Sequence, residues 1–196
     1  MDLSAYGDTM SDPIPFETRA DLERWLAQHH DSATELLVRV YKKGSGIASV
    51  AWGDIVEAVL AWGWIDGQKR SLDDVSYIQR VTPRRAGSAW SKINVGHVER
   101  LIAEGRMQPS GLAHVEAAKA DGRWDAAYAG QRDMVIPEDF LAALDITPGA
   151  RERYDRLTRA QRFTIYHQLL GAKKPETRAR RLARMVERLG RGELPG

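Results

Sequence analysis

The chain has no cysteine, which excludes disulfides, thiolate metal sites and a cysteine nucleophile together. It also has no apolar run near the roughly 18 residues that a membrane-spanning helix needs. The stretch from Met1 to Phe16 is acidic and has neither a basic opening nor an apolar centre, so no secretory signal is expected. The glycine–lysine loop Lys42-Lys43-Gly44-Ser45-Gly46 lacks the spacing and the Lys-Ser/Thr ending of a nucleotide-binding loop. It reads as a turn leaving a strand, although such loops can hold phosphate through backbone N–H groups. His29 and His30 are adjacent and point about 100° apart on a helix, with no third ligand nearby to complete a metal set. They read as solvated residues at a helix end. No cofactor and no metal are expected, and the cytoplasm is the simplest compartment.

What remains is an ordinary globular composition with an uneven charge. At 196 residues the chain can build one substantial core, or one core with a helical appendage. The net charge is +2. From Ile146 to Gly196 there are 13 Lys/Arg against 5 Asp/Glu, a balance of +8, which leaves residues 1–145 at −6. Such segregation marks a basic tail for an anionic partner, a contact between the two halves, or an arginine-rich solvated helix.

Periodicity divides the chain further. Residues 1–15 form a leader expected to be flexible, 16–125 an α+β domain, and 126–196 a helical C-terminal domain. Thr18 followed by Asp21 suits a helix start, and Leu22, Trp25 and Leu26 share one helical face. Glu35 to Tyr41 is β-rich and alternates as a strand. Ile55, Val56, Val59 and Leu60 give a buried helix that ends at Gly63. Trp64 to Gly67 and Val75 to Val81 give two more strands, turning at Asp73-Asp74. The fold class is therefore α+β, a small antiparallel sheet flanked by helices. Pro137, Thr147-Pro148, Thr158 and Pro175 mark successive helix starts in the remainder.

The stretch Trp62–Asn94 concentrates chemistry. Trp64 and Asp66 open one strand, and Arg84 and Arg85 leave another beyond Pro83. Ser88, Trp90, Ser91, Lys92 and Asn94 lead into a helix whose cap is Ser88 or Ser91. Guanidinium groups beside a helix N-terminus favour a bound anion, and Trp64 or Trp90 could stack on a ring or sugar. Asp66, one strand away, would hold one arginine in place rather than perform chemistry. The same tryptophans could equally be core anchors with an architectural role alone.

These residues also resemble a known family. Trp62-Gly63-Trp64-Ile65-Asp66-Gly67, then Thr82-Pro83-Arg84-Arg85 with Ser88, Trp90-Ser91-Lys92 and Asn94, look like the signature of the YdeI/OmpD-associated bacteriocin-protection family. The likeness continues through Gly111-Leu112, Asp121-Gly122-Arg123-Trp124 and Ala172-Lys173-Lys174-Pro175-Glu176-Thr177-Arg178, over nearly everything after about residue 15. It implies a YjbR/CyaY-like N-terminal region followed by a helical domain, but no reaction. The family's name records a phenotype and an association with a porin.

The expected function is thus non-catalytic: bacteriocin protection or envelope stress, with a small anionic ligand or a protein partner bound at Trp64, Asp66, Arg84, Arg85, Ser88, Trp90, Ser91, Lys92 and Asn94. Nucleic-acid binding is an alternative, joining Arg84, Arg85 and Lys92 to the arginines of the last helix. The acidic balance of residues 1–145 opposes a polyanion there. An enzyme acting on a small anionic substrate is a further alternative, with Asp66 as base and His97 or His114 as proton shuttle.

Overall fold

The computed structural model describes residues 12–172 and 174–193. They fall into two compact units, the first ending at Tyr128 and the second starting at Ala129.

The first unit is organised around α2 (Trp52–Ala61), in which Ile55, Val56, Ala58, Val59, Leu60 and Ala61 are all buried. A helix that is apolar on several sides must be covered on each of them. One flank meets α1 (Arg19–His29) and a sheet, in a core of Leu22, Leu26, Val38, Val40, Ile55, Val59, Trp64 and Val81. The other meets Trp90, Trp124, α3 (Lys92–Ala103) and α4 (Pro109–Ala120), through Val98, Leu101, Val115 and Ala118. Close approach of α4 needs a glycine. A Cβ on Gly111 would stand 2.2 Å from the Ala61 carbonyl oxygen.

The sheet runs β1-β2-β4-β3. β2 (Leu36–Tyr41) and β3 (Trp64–Ser71) each pair antiparallel with β4 (Ser76–Pro83), as the alternation implies. β1 (Ile14–Pro15) adds a short parallel edge strand beside Val38 and Arg39. The expected leader therefore ends in the sheet; residues 1–11 lie outside the described residues. Pro15 suits an edge, where a missing N–H removes no ladder bond. Thr18 caps α1 in a full capping box with Asp21. The β3–β4 hairpin turns where Asp73 Oδ1 accepts the Val75 and Ser76 N–H groups at 3.0 and 2.7 Å. It carries a register shift between Asp66 and Lys69. The buried Gln79 side chain fills it, donating to the Gly67 carbonyl at 2.9 Å.

His29 and His30 correct the expectation of solvated residues. The His29 ring stacks on Trp25 at 4.6 Å, and the His30 ring lies 4.6 Å from Trp62. Each Nδ1 sits beside a carbonyl one turn back. The imidazoles are packing groups because two neighbouring tryptophans offer them flat apolar faces.

The second unit is helical: α5 (Glu138–Asp145), α6 (Ala150–Asp155), α7 (Arg159–Leu170) and α8 (Pro175–Arg191) surround Phe140, Leu144, Tyr154, Ile165, Leu169, Met185, Val186 and Leu189. Thr158 and Gln161 form a capping box for α7. Much of the positive charge of α8 is engaged inside this unit. Arg178 binds Asp139 at 2.9 Å, Arg181 donates to the Gln168 carbonyl at 2.7 Å, and Arg188 and Arg191 pair with Glu193 and Glu187. Among the described residues no helix is long and apolar enough to cross a membrane.

Candidate functional site

Gly63 takes a left-handed conformation (φ 77°) that turns α2 straight into β3. Its carbonyl accepts the Arg84 N–H at 3.0 Å, so the two motif segments are tied where β3 begins and β4 ends. Trp64 is 1% exposed and donates its indole N–H to the His30 carbonyl at 3.1 Å. It belongs to the core beneath the sheet.

Arg84 is 4% exposed. Its guanidinium lies 3.7 Å from the centroid of Trp90, itself 2% exposed, and Nη1 donates to the Ala89 carbonyl at 3.0 Å. Trp90 in turn meets the Trp124 ring at 4.9 Å. This stack closes the 84–90 loop onto the α3–α4 core. Two donors within it, Arg84 Nε and Trp90 Nε1, are buried without a hydrogen-bond partner. Burial lowers the Arg84 pKa to about 10, with the nearby Arg123 adding to the fall and Asp66 and Tyr128 opposing it. The group remains charged at neutral pH. Burial likewise lowers the His114 imidazole, helped by the charges of Arg84 and Arg123.

The remaining motif residues spread outward from this stack. Ser91 is buried and its Oγ accepts the Asn94 N–H at 3.1 Å, capping α3, while the Lys92 N–H is taken by the Tyr128 carbonyl at 2.9 Å. These bonds use two of the free amides that would otherwise attract an anion. Arg85 and Lys92 are exposed, and Ser88 and Asn94 half-buried. The Ser88 carbonyl accepts Arg123 Nη1 at 3.0 Å. Trp64, Arg84 and Trp90 are thus enclosed, and Arg85 and Lys92 stand in solvent.

Asp66 pairs with Val81 across the hairpin and shares its face, the one covered by α2. It makes no ion pair with an arginine among the described residues. Its nearest polar side-chain neighbour is instead Trp52, at the start of α2. Burial raises the Asp66 carboxyl above its ordinary range, and its own backbone amide, the Trp52 indole and the charges of Arg84 and His97 only partly oppose the rise. Trp52 is 51% exposed. It lines a groove of about 350 Å³ with Tyr41, Lys42, Lys43, Ile47 and Tyr77. Lys69 stands 3.8 Å over the Tyr77 ring and Arg39 4.8 Å over the Tyr41 ring. Lys42 Nζ donates to the Asp74 carbonyl at 2.9 Å, and Lys43 is exposed. The sequence pointed to the Lys42–Gly46 loop but gave no reason to join it to Trp52. Only the β2–β4 pairing brings Tyr77 beside Val40.

Residues 14–114 match a family described as a domain of unknown function, DUF8412. The chain belongs to that family. Residues 133–192 match a second family, described as "Bacteriocin-protection, YdeI or OmpD-Associated". The YdeI/OmpD-associated likeness is therefore carried by the helical unit. No match supports the expected YjbR/CyaY-like N-terminal region; the family matched there is DUF8412, which contains the whole Trp62–Asn94 stretch. Helix–strand–helix–strand–strand order is shared by many α+β domains, so element order alone could not separate them. No curated protein and no solved structure matches the chain.

Proposed function

We propose that the DUF8412 domain is a non-catalytic binding module for a small organic anion, or an acidic segment of a protein partner, received in the groove beside Trp52. The observation that carries this reading is that groove: three aromatic side chains and two lysines around about 350 Å³. A planar ring can lie against Trp52 and Tyr77 while Lys43 meets its negative charge. The Gly-Trp-Ile-Asp-Gly motif serves the groove indirectly, since Asp66 lies beside Trp52 and forms no ion pair with an arginine among the described residues. The Pro-Arg-Arg to Asn94 segment frames the domain from behind, with Arg85 and Lys92 adding exposed positive charge. The physiological setting we propose is bacteriocin protection or envelope stress, acting from the cytoplasm; the second family match is its support.

The test is a titration with benzoate, adenosine monophosphate and glucose 6-phosphate, following the indole N–H signals by NMR. Planar anions should shift the Trp52 signal saturably, and Lys43→Gln and Asp66→Asn should weaken the effect. A Trp52 signal that stays still, or shifts equally in the Lys43→Gln variant, refutes the reading. For the physiological setting, a deletion strain should lose survival under bacteriocin challenge and regain it with the wild-type chain; unchanged survival refutes that part.

A second reading, an enzyme acting on a small anionic substrate, is favoured by one observation: burial raises Asp66 and lowers His114, opposite shifts on groups that both feel Arg84. It predicts turnover of a phosphate-ester panel that Asp66→Asn abolishes.

A further inference from the structure

The helical unit holds a cavity of about 260 Å³ lined by Arg132, Met134, Ile136, Tyr154, Arg159 and Arg162. Its walls come from three places: the segment before α5, the buried face of α6, and the first turns of α7. Arg159 and Arg162 are three residues apart on α7 and therefore neighbours on its surface. Arg162 lies 5.0 Å from the centroid of the Tyr154 ring, and one Nη donates to the Asp155 carbonyl at 2.6 Å. Its Nε is buried and has no hydrogen-bond partner.

None of the three arginines pairs with a carboxylate among the described residues, and the acids nearby are committed elsewhere. Asp155 is held by Arg151 at 3.3 Å, Glu152 by Arg156 at 2.5 Å, and Asp139 by Arg178. Asp133, next to Arg132 in the chain, lies outside the lining and pairs with none of the three. Three positive charges thus converge on one concavity without compensation. Arg151, Arg156, Arg178, Arg188 and Arg191 of the same unit each pair with a carboxylate. Guanidinium forks match the oxygens of a phosphate two at a time. The lining also includes the apolar Met134 and Ile136, which ask for a hydrocarbon or ring on the same ligand.

We propose that this cavity is a binding site for a small phosphomonoester carrying an apolar or aromatic group, with Arg132, Arg159 and Arg162 on the phosphate and Met134 and Ile136 on the organic part. The site is independent of the groove beside Trp52 and does not rest on it. A concavity of this size, with apolar residues in its lining, suits a free small molecule rather than a nucleic-acid backbone.

The experiment is NMR of the arginine side-chain Nε–H groups in the full chain, titrated with inorganic phosphate and with phenyl phosphate at constant ionic strength. Phenyl phosphate should shift Arg159 and Arg162 saturably and bind about ten-fold more tightly than inorganic phosphate. Arg132→Gln and Arg159→Gln should each weaken it by about ten-fold or more. Both side chains are exposed, so these variants should keep the wild-type circular dichroism and melting temperature. If either does not, the arginine resonances of the other carry the test. Arg184→Gln, outside the cavity, should leave the affinity unchanged. All six tryptophans lie at or before Trp124, so indole shifts would report the other unit. Shifts spread evenly over Arg180, Arg184 and the cavity arginines, no preference for phenyl phosphate, or undiminished affinity in both Gln variants would overturn the proposal.

Discussion

Arg84 is a buried cation with no carboxylate beside it, and replacing it separates the cost of its charge from the value of its shape. The fall of its pKa to about 10 corresponds to a penalty on the charged form of about 3 kcal/mol. Against that stand the contact with Trp90, about 2 kcal/mol for a desolvated cation on an indole face, and one charged hydrogen bond to the Ala89 carbonyl, about 1.5 kcal/mol or more. The terms nearly cancel. Arg84→Met keeps the apolar stem over Trp90 and removes both the charge and its partners, so stability should change by no more than about 1 kcal/mol. Arg84→Ala also empties the space above Trp90 and should cost about 2–4 kcal/mol. Urea unfolding followed by tryptophan fluorescence reads this directly, because every tryptophan lies in the first unit. The pH dependence gives a second check. For a base whose folded pKa is depressed, the penalty is fully present below about pH 10 and is relieved as pH rises further towards the unfolded value. Wild type should therefore gain on Arg84→Met across that window. If Met costs as much as Ala, the charge is net stabilising and the desolvation argument is wrong.

Other outcomes follow from the same contacts. Trp64→Phe should cost about 1 kcal/mol more than Trp90→Phe, because only Trp64 loses an indole hydrogen bond; equal urea midpoints would contradict this. Glu57 accepts hydrogen bonds from Arg19 at 2.6 Å and from Arg100, with Arg106 at 3.4 Å. Burial pushes its carboxyl up, but the hydrogen bonds from Arg19 and Arg100 hold it below its ordinary value. Its stabilisation is thus present above the unfolded pKa and lost as pH falls through the folded one, and acid unfolding of Glu57→Gln should show a shallower loss in that range. His114, lowered by burial, works at a higher pH: stability should fall as pH drops below its ordinary 6.5, and His114→Gln should flatten that slope. Gly111→Ala should disrupt the α2–α4 contact, since the Ala61 carbonyl blocks the new methyl, and an unchanged melting temperature would refute the packing argument. The full chain should show no steeply salt-dependent DNA binding, because α8 uses much of its charge internally; fluorescence anisotropy with and without Arg180→Ala and Arg184→Ala tests this.

Local pattern alone determined a good part of this molecule. Thr18, Ser91, Thr158 and Pro175 announce helices because capping and fixed φ act within one turn. Glu35–Tyr41 and Val75–Val81 announce strands because alternation is a property of the single strand. The apolar run of α2 marked the helix that both cores share. Tertiary structure decided the rest, since it depends on which segments meet. Pairing of Ile14–Pro15 with β2 rests on two residues with no periodicity to read. Arg84 and Trp90 are each amphipathic, and their sequence is compatible with an open cleft or a closed stack; packing against Trp124 selects the stack. Asp66 forms no ion pair with an arginine among the described residues, because its pairing with Val81 turns it towards α2. The groove at Trp52 and the arginine-lined cavity of the second unit each assemble side chains from separate elements, and no spacing along the chain encodes a distance through space.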